Sequence, residues 1–125
     1  MDAKNRPVFL DLTKMRFPPM AIISIMHRIS GVFLFLLLPF VLYLLHGSLA
    51  SAAEFDAMKQ WLSSPIPAFV MWVFVCSAAF HLFAGIRHMV MDLGFGEHLC
   101  TAKWSAYFLL LLEIIVMIFV GVWLW

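Results

Sequence analysis

Two short stretches hold the residues whose types and spacing could do chemistry. In the first, His81-Leu82-Phe83-Ala84-Gly85-Ile86-Arg87-His88-Met89-Val90-Met91-Asp92, a long apolar run meets a cluster of titratable groups. On a helix, residues seven apart lie two turns apart on nearly one face, so His81 and His88 project the same way about 10 Å apart in rise, with Gly85 between them. An imidazole facing a glycine-notched surface inside a membrane can hold a flat metal macrocycle, with Arg87 and His88 near the interface to meet its acidic groups. It can equally do no more than hydrogen-bond a neighbouring helix. The second stretch is Ser24-Ile25-Met26-His27-Arg28-Ile29-Ser30-Gly31. Ser24 and Arg28, at i and i+4 with His27 beside them, put a hydroxyl and a guanidinium on one helical face. Such a pair can hydrogen-bond a carbonyl that gains negative charge on reduction, while apolar surroundings take an isoprenoid tail. The plainer alternative is that Arg28 reaches lipid phosphate and Ser24 bonds local backbone.

The elements that must position these residues follow from composition. Of 125 residues, 65% are hydrophobic and only 12% charged, so the solvent is lipid. A net charge of +1, without a basic patch, argues against nucleic acid. Two cysteines, Cys76 and Cys100, form neither a disulfide framework nor a CxxC pattern, and read as a buried apolar residue and an interfacial thiol.

Residues 1–19 read as a polar, basic arm, broken by Pro7, Pro18 and Pro19 and unlike a cleavable signal or a transit peptide. Three spans are expected, at about 20–46, about 66–88 and about 104–125, within a single membrane-anchor domain over 1–125. Pro39 inside the first is expected to be tolerated, as prolines are in lipid, and His46-Gly47-Ser48 to end that helix. Ala50 to Ser64 reads as a polar connection, and Arg87 to Lys103 as another with Gly94 and Gly96 as helix terminators. Glu113 is the only charge in the third apolar run. An acid within a span is costly unless protonated, paired or facing a cavity, so it is either a functional group or a structural bond to a partner helix.

Lys and Arg number five up to the first span (Lys4, Arg6, Lys14, Arg16, Arg28), one in the first loop (Lys59), two in the second (Arg87, Lys103) and none at the C-terminus. The bias puts the N-terminus and second loop on the cytoplasmic or matrix side. His81, near Arg87, then lies toward that same side. A proton-carrying transport subunit built on Glu113 fits poorly, because the ionisable residues gather at one face instead of forming a path across. Three helices are few for an independent bundle, and small residues (Ser77, Ala78, Ala79, Ala84, Gly85) crowd the His81 end of the second span, so a partner subunit is expected.

Arg6-Pro7-Val8-Phe9-Leu10-Asp11-Leu12, the S-x-x-H-R-x-S-G run from Ser24 and the H-x-x-x-G-x-R-H-x-x-x-D run from His81 occur in that order. Together they resemble the cytochrome b membrane anchor of succinate dehydrogenase, the succinate:quinone oxidoreductase of the respiratory chain and tricarboxylic acid cycle. The resemblance implies an all-α membrane protein of three transmembrane helices packed with a companion anchor subunit. It implies haem b, with His81 as one axial ligand and the other from the companion, and a ubiquinone site including Ser24 and Arg28. His27, Arg87, His88 and Asp92 then match positions near the haem propionates or the quinone entrance, and Glu113 matches no motif. The implied partners are the iron–sulfur and flavoprotein subunits and the lipid bilayer. The chain lacks a flavin-binding fingerprint and a cluster-binding cysteine set, so it is not catalytic by itself. The resemblance implies the bacterial inner membrane ahead of the mitochondrial one. A haem-free anchor, or a fumarate-reductase type working with menaquinone, is the alternative.

Overall fold

A computed structural model describes residues 17–125; the arm motif Arg6–Leu12 lies outside the described residues. Four helices follow in order: α1 Pro19–Ala50, α2 Ala52–Leu62, α3 Pro65–Asp92 and α4 Leu99–Leu124. Of these, α1, α3 and α4 are long and apolar enough to cross a membrane. Among the described residues there is no strand. The expected all-α architecture with three spans is the one observed.

Proline sets where the first and third helices begin. Pro19 and Pro65 occupy first-turn positions behind extended Pro18 and Ser64, where a missing N–H costs nothing and the fixed φ suits the helix. Pro39 sits inside α1 without ending it. In lipid, neighbouring helices and local adjustment satisfy the freed backbone group.

The connection after the first span differs from expectation. α1 does not stop at His46-Gly47-Ser48 but runs to Ala50, and the Ser48 hydroxyl donates to the Leu44 carbonyl at 2.6 Å. Ser51 then caps α2 by accepting from the Glu54 amide at 3.1 Å. Ser51-Ala52-Ala53-Glu54 has the spacing of a capping box, a start signal that the polar composition of this stretch masks. α2 folds back onto α1, with the Trp61 ring 5.9 Å from both Phe40 and Tyr43. Gly47 makes this return possible, since a Cβ there would lie 2.8 Å from Met58 Cγ. Its role is close approach, not termination.

Between α3 and α4 the chain turns through Gly94 and Gly96 at φ of 85° and 78°, a region open to a residue without Cβ. The turn is shorter than expected, because Arg87, His88 and Asp92 still belong to α3 and Cys100 and Lys103 already belong to α4.

α3 packs against both α1 and α4 around Ile23, Phe80, Ala84, Ala106 and Leu109, with Phe83 and Leu110 against them. Ala84 and Ala106 are fully buried; lacking bulk, they let the helices approach where lipid offers little hydrophobic drive and packing must hold them. Polar bonds fasten α3 to α4 at two levels. Trp72 Nε1 donates to the Met117 carbonyl at 2.9 Å, and Arg87 donates through Nε to Ser105 Oγ and through Nη2 to the Ala102 carbonyl, both at 3.0 Å. Large apolar side chains such as Phe35, Leu36, Phe119 and Val122 face outward, as befits a surface wetted by lipid or covered by other chains.

Gly47→Val is expected to destabilise the α1–α2 corner by about 1–3 kcal/mol through overpacking against Met58. Thermal unfolding of the purified protein in detergent should show a lowered midpoint that Met58→Ala in the same chain restores; an unchanged midpoint would mean that α2 moves aside freely.

Candidate functional site

The two sequence stretches meet where α1 crosses α3. Ile23, His27, Ser30 and Gly31 recur at helical spacing and turn one stripe of α1 toward α3. His81 of α3 packs into that stripe, and Gly31 is what admits it: a Cβ on Gly31 would lie 3.1 Å from His81 Cε1. The His27 and His81 rings stack with centroids 4.0 Å apart and planes 17° from parallel. His88, two turns on, stands with its ring 5.4 Å from that of His27. The face shared by His81 and His88 was legible from their spacing, but the insertion of His27 between them was not. Helix register across an interface depends on which side chains fit, and hydropathy carries no record of it.

Hydrogen bonding then determines the chemistry of the His81 ring. Ser30 Oγ donates its one hydrogen to the His27 carbonyl at 2.7 Å. His81 Nδ1 lies 3.1 Å from that same carbonyl and 3.1 Å from Ser30 Oγ. A carbonyl only accepts, and a hydroxyl whose hydrogen is already given can only accept, so in the neutral ring Nδ1 carries the hydrogen. The lone pair is left on Nε2. A ring held through Nδ1–H by a backbone carbonyl is the usual arrangement of a metal-ligating histidine, because it fixes orientation and raises the basicity of the other nitrogen. The sequence reading did not assign Ser30 or Gly31 a part in this; their places in S-x-x-H-R-x-S-G were the only signal.

His27, His81, His88 and Gly85 line a cavity of about 420 Å³, together with Leu82, Ile86 and Met89. Its size is within the range of cofactor sites, and its wall is apolar apart from imidazoles. His27 Nε2 is buried there without a hydrogen-bond partner. The Gly85 notch faces this nitrogen, with a Cβ at Gly85 meeting it at 3.4 Å. Among the described residues no three His, Cys, Asp or Glu side chains gather to hold an ion.

The other expected site residues are distributed as follows. Ser24 is half-buried and Arg28 exposed, one turn apart on α1 and flanking the His27 stripe. Asp92 is exposed at the last position of α3. Arg87 is on the same element, but its guanidinium is committed to Ser105 and Ala102 of α4 and not to the histidine cavity. Cys76 is buried and Cys100 exposed, both as free thiols. Glu113 is buried elsewhere, on α4.

Comparison with known proteins agrees with the architecture. The family described as succinate dehydrogenase/fumarate reductase transmembrane subunit matches residues 2–120. The chain is 49% identical to the succinate dehydrogenase cytochrome b556 subunit of Coxiella burnetii over the full length of both. It is 32% identical to the cytochrome b556 subunit of Paracoccus denitrificans, across 82% of this chain and 78% of that one. The succinate dehydrogenase cytochrome b560 subunit of Reclinomonas americana is also 32% identical, across 85% and 77%. Three apolar helices and bacterial relatives of this kind make it a multi-pass protein of the bacterial inner membrane. With a match across almost its whole length, the chain belongs to the transmembrane subunits of succinate dehydrogenase and fumarate reductase, as a cytochrome b anchor of the succinate dehydrogenase complex.

Proposed function

We propose that this anchor holds haem b through His81 Nε2 and contributes Ser24 and Arg28 to a ubiquinone-reducing site, in a complex that passes electrons from succinate through its iron–sulfur subunit. One observation carries the haem assignment: His81 Nδ1 is bonded to the His27 carbonyl and to Ser30, which leaves Nε2 as the ring's only free base. The site's other features are compatible with a flat prosthetic group at its mouth, namely an apolar cavity, an unpartnered His27 Nε2 and His88 at the rim. Haem, when bound, supplies a one-electron carrier. A companion anchor subunit would supply a further ligand from its own side.

The chain's own residues do the rest. Ser30 and the His27 carbonyl hold the His81 ring in one tautomer and one orientation. His27 and His88 would hydrogen-bond acidic groups of a bound molecule at the cavity rim. Arg87 ties α3 to α4 through two of its five donors, and those that remain could still meet acidic groups at the rim. Asp92 remains at the end of the same helix, in the stretch nearest the soluble partners. Ser24 and exposed Arg28 would donate to a quinone carbonyl as negative charge grows on its oxygen, which lowers the barrier most when the donors are already in position. The basic bias of the N-terminal flank and second loop favours the cytoplasmic face for this end, where the iron–sulfur and flavoprotein subunits deliver electrons.

His81→Ala should abolish or shift the reduced b-type absorbance of the assembled complex. An unaltered spectrum, with unaltered haem content by pyridine haemochrome, would move ligation to another residue. Arg28→Ala should lower succinate:ubiquinone reductase activity by about tenfold or more, the worth of a hydrogen bond from a charged donor. Reduction of a soluble artificial acceptor by succinate should persist in that variant; equal loss of both activities would point to failed assembly.

A further inference from the structure

The turn between α3 and α4 presents large apolar side chains for which the histidine site has no use. α3 ends in a Schellman motif: around left-handed Gly94, the Phe95 N–H donates to the Val90 carbonyl at 3.2 Å and the Gly94 N–H to the Met91 carbonyl at 2.8 Å. Gly96 is left-handed as well, so Leu93-Gly94-Phe95-Gly96 makes a defined, hydrogen-bonded bend. An apolar residue in the place of Phe95 commonly packs back on the helix it follows, here against Val90. Phe95 is nevertheless 68% exposed, Leu93 before it 74%, and Leu99 at the start of α4 62%.

These side chains stand beyond the hydrocarbon. The uncharged run of α3 ends at Ile86, and Leu93 is six residues past Arg87, about 9 Å of helical rise. On α4, Trp104 and Tyr107, with rings 6.5 Å apart, form the aromatic belt of the interface, and Leu99 precedes Trp104 by five residues, about 8 Å. The headgroup layer is about 5–8 Å deep on each side, so both helices carry the turn to its outer limit. Between Arg87 and Lys103 the charged residues, histidines aside, are Asp92 and Glu97, both acidic and exposed. An acidic tip is repelled by the anionic lipids of a cytoplasmic leaflet, and two copies of it would repel each other. Exposed leucine and phenylalanine between two carboxylates suit a water-soluble protein with an apolar recess and a basic rim.

We infer that the 93–99 turn is a docking knob for the iron–sulfur subunit, with Leu93 and Phe95 seated in an apolar recess of that subunit and Lys or Arg side chains around the recess facing Asp92 and Glu97. Of the soluble subunits, the one that hands electrons to the anchor must lie against it. The inference rests on the reading of this chain as an anchor whose soluble partners gather at its cytoplasmic end. It does not depend on haem at His81 or on quinone at Ser24 and Arg28.

The test uses the complete complex, isolated through a tag on its flavoprotein subunit, with Phe95→p-benzoylphenylalanine in this chain. On irradiation the benzophenone should join this chain to the iron–sulfur subunit, at a site that mass spectrometry maps among apolar residues flanked by Lys or Arg. Products confined to lipid, to the companion anchor or to a second copy of this chain would overturn the knob, as would the lack of any product from a complex that co-purified intact. Failure of the wild-type chain to co-purify with the flavoprotein would overturn the reading of the chain as a dehydrogenase anchor, and the knob with it. L93S/F95S gives a second measure. A perchlorate wash of membranes holding this variant should release about tenfold or more succinate dehydrogenase activity, assayed with a soluble acceptor, than the same wash of wild type, as expected for the loss of an aromatic anchor, while the amount of this chain in the membrane is unchanged. Equal release at equal anchor content would overturn the proposal, and the cross-link decides alone if the double variant fails to accumulate.

Discussion

In lipid a polar atom without a partner has no water to turn to, and the cost runs to several kcal/mol. The crossing of α1 and α3 is arranged around that constraint. A helix carbonyl normally accepts from the amide four residues on and keeps a second lone pair; at His27 that capacity receives both the Ser30 hydroxyl and the His81 ring. One turn of α1 thereby supplies everything Nδ1 of His81 needs without recruiting a second polar side chain from α4. Gly31 is the steric counterpart, because the bond forms only if the imidazole lies directly against the α1 backbone.

Several features follow from this contact. Once His81 is seated, the register between α1 and α3 is determined, and His27 falls between His81 and His88. Ile23, Phe80 and Ala84 then close the core at the same level. On the far side of α3 the Arg87 bonds to Ser105 and Ala102 set the distance to α4, so α3 is held from both faces near its histidine-bearing end. An arginine at the interface of a membrane helix is readily read as a ligand for acidic groups, but its planar fork of five donors can also bind a neighbouring helix, as two of them do here.

Among the described residues two buried side-chain atoms are without a hydrogen-bond partner, His27 Nε2 and Glu113 Oε2, and each of these residues lines a cavity of its own. Native structures keep few buried polar groups without partners, and those that remain call for an explanation. The two cavities differ in character: one is bounded by imidazoles and lies at the α1–α3 crossing, the other has a single carboxyl in an apolar wall between three helices. Ser30 stands between them, bonded to the first and lining the second.

The amino-acid sequence by itself determined the solvent, the number of spans and the residues with chemical capacity. Apolar runs of spanning length, their interruption by charge and the seven-residue spacing of His81 and His88 are local properties, preserved by any packing of the helices. The motif runs from Ser24 and from His81 likewise identified the family before any contact was known. The sequence was less clear where a local signal was weak or had two meanings. Ser51 and Glu54 began a helix within a segment whose composition suggested a loop, and Gly47 served close packing where a glycine could equally have ended α1. What only the tertiary structure decided is which nitrogen of His81 is free, that Arg87 bonds across to α4 and that Glu113 lines a cavity. These depend on the rotation and depth of one helix against another, and a difference of one residue in register, a shift of about 100° around the axis, would have changed all three.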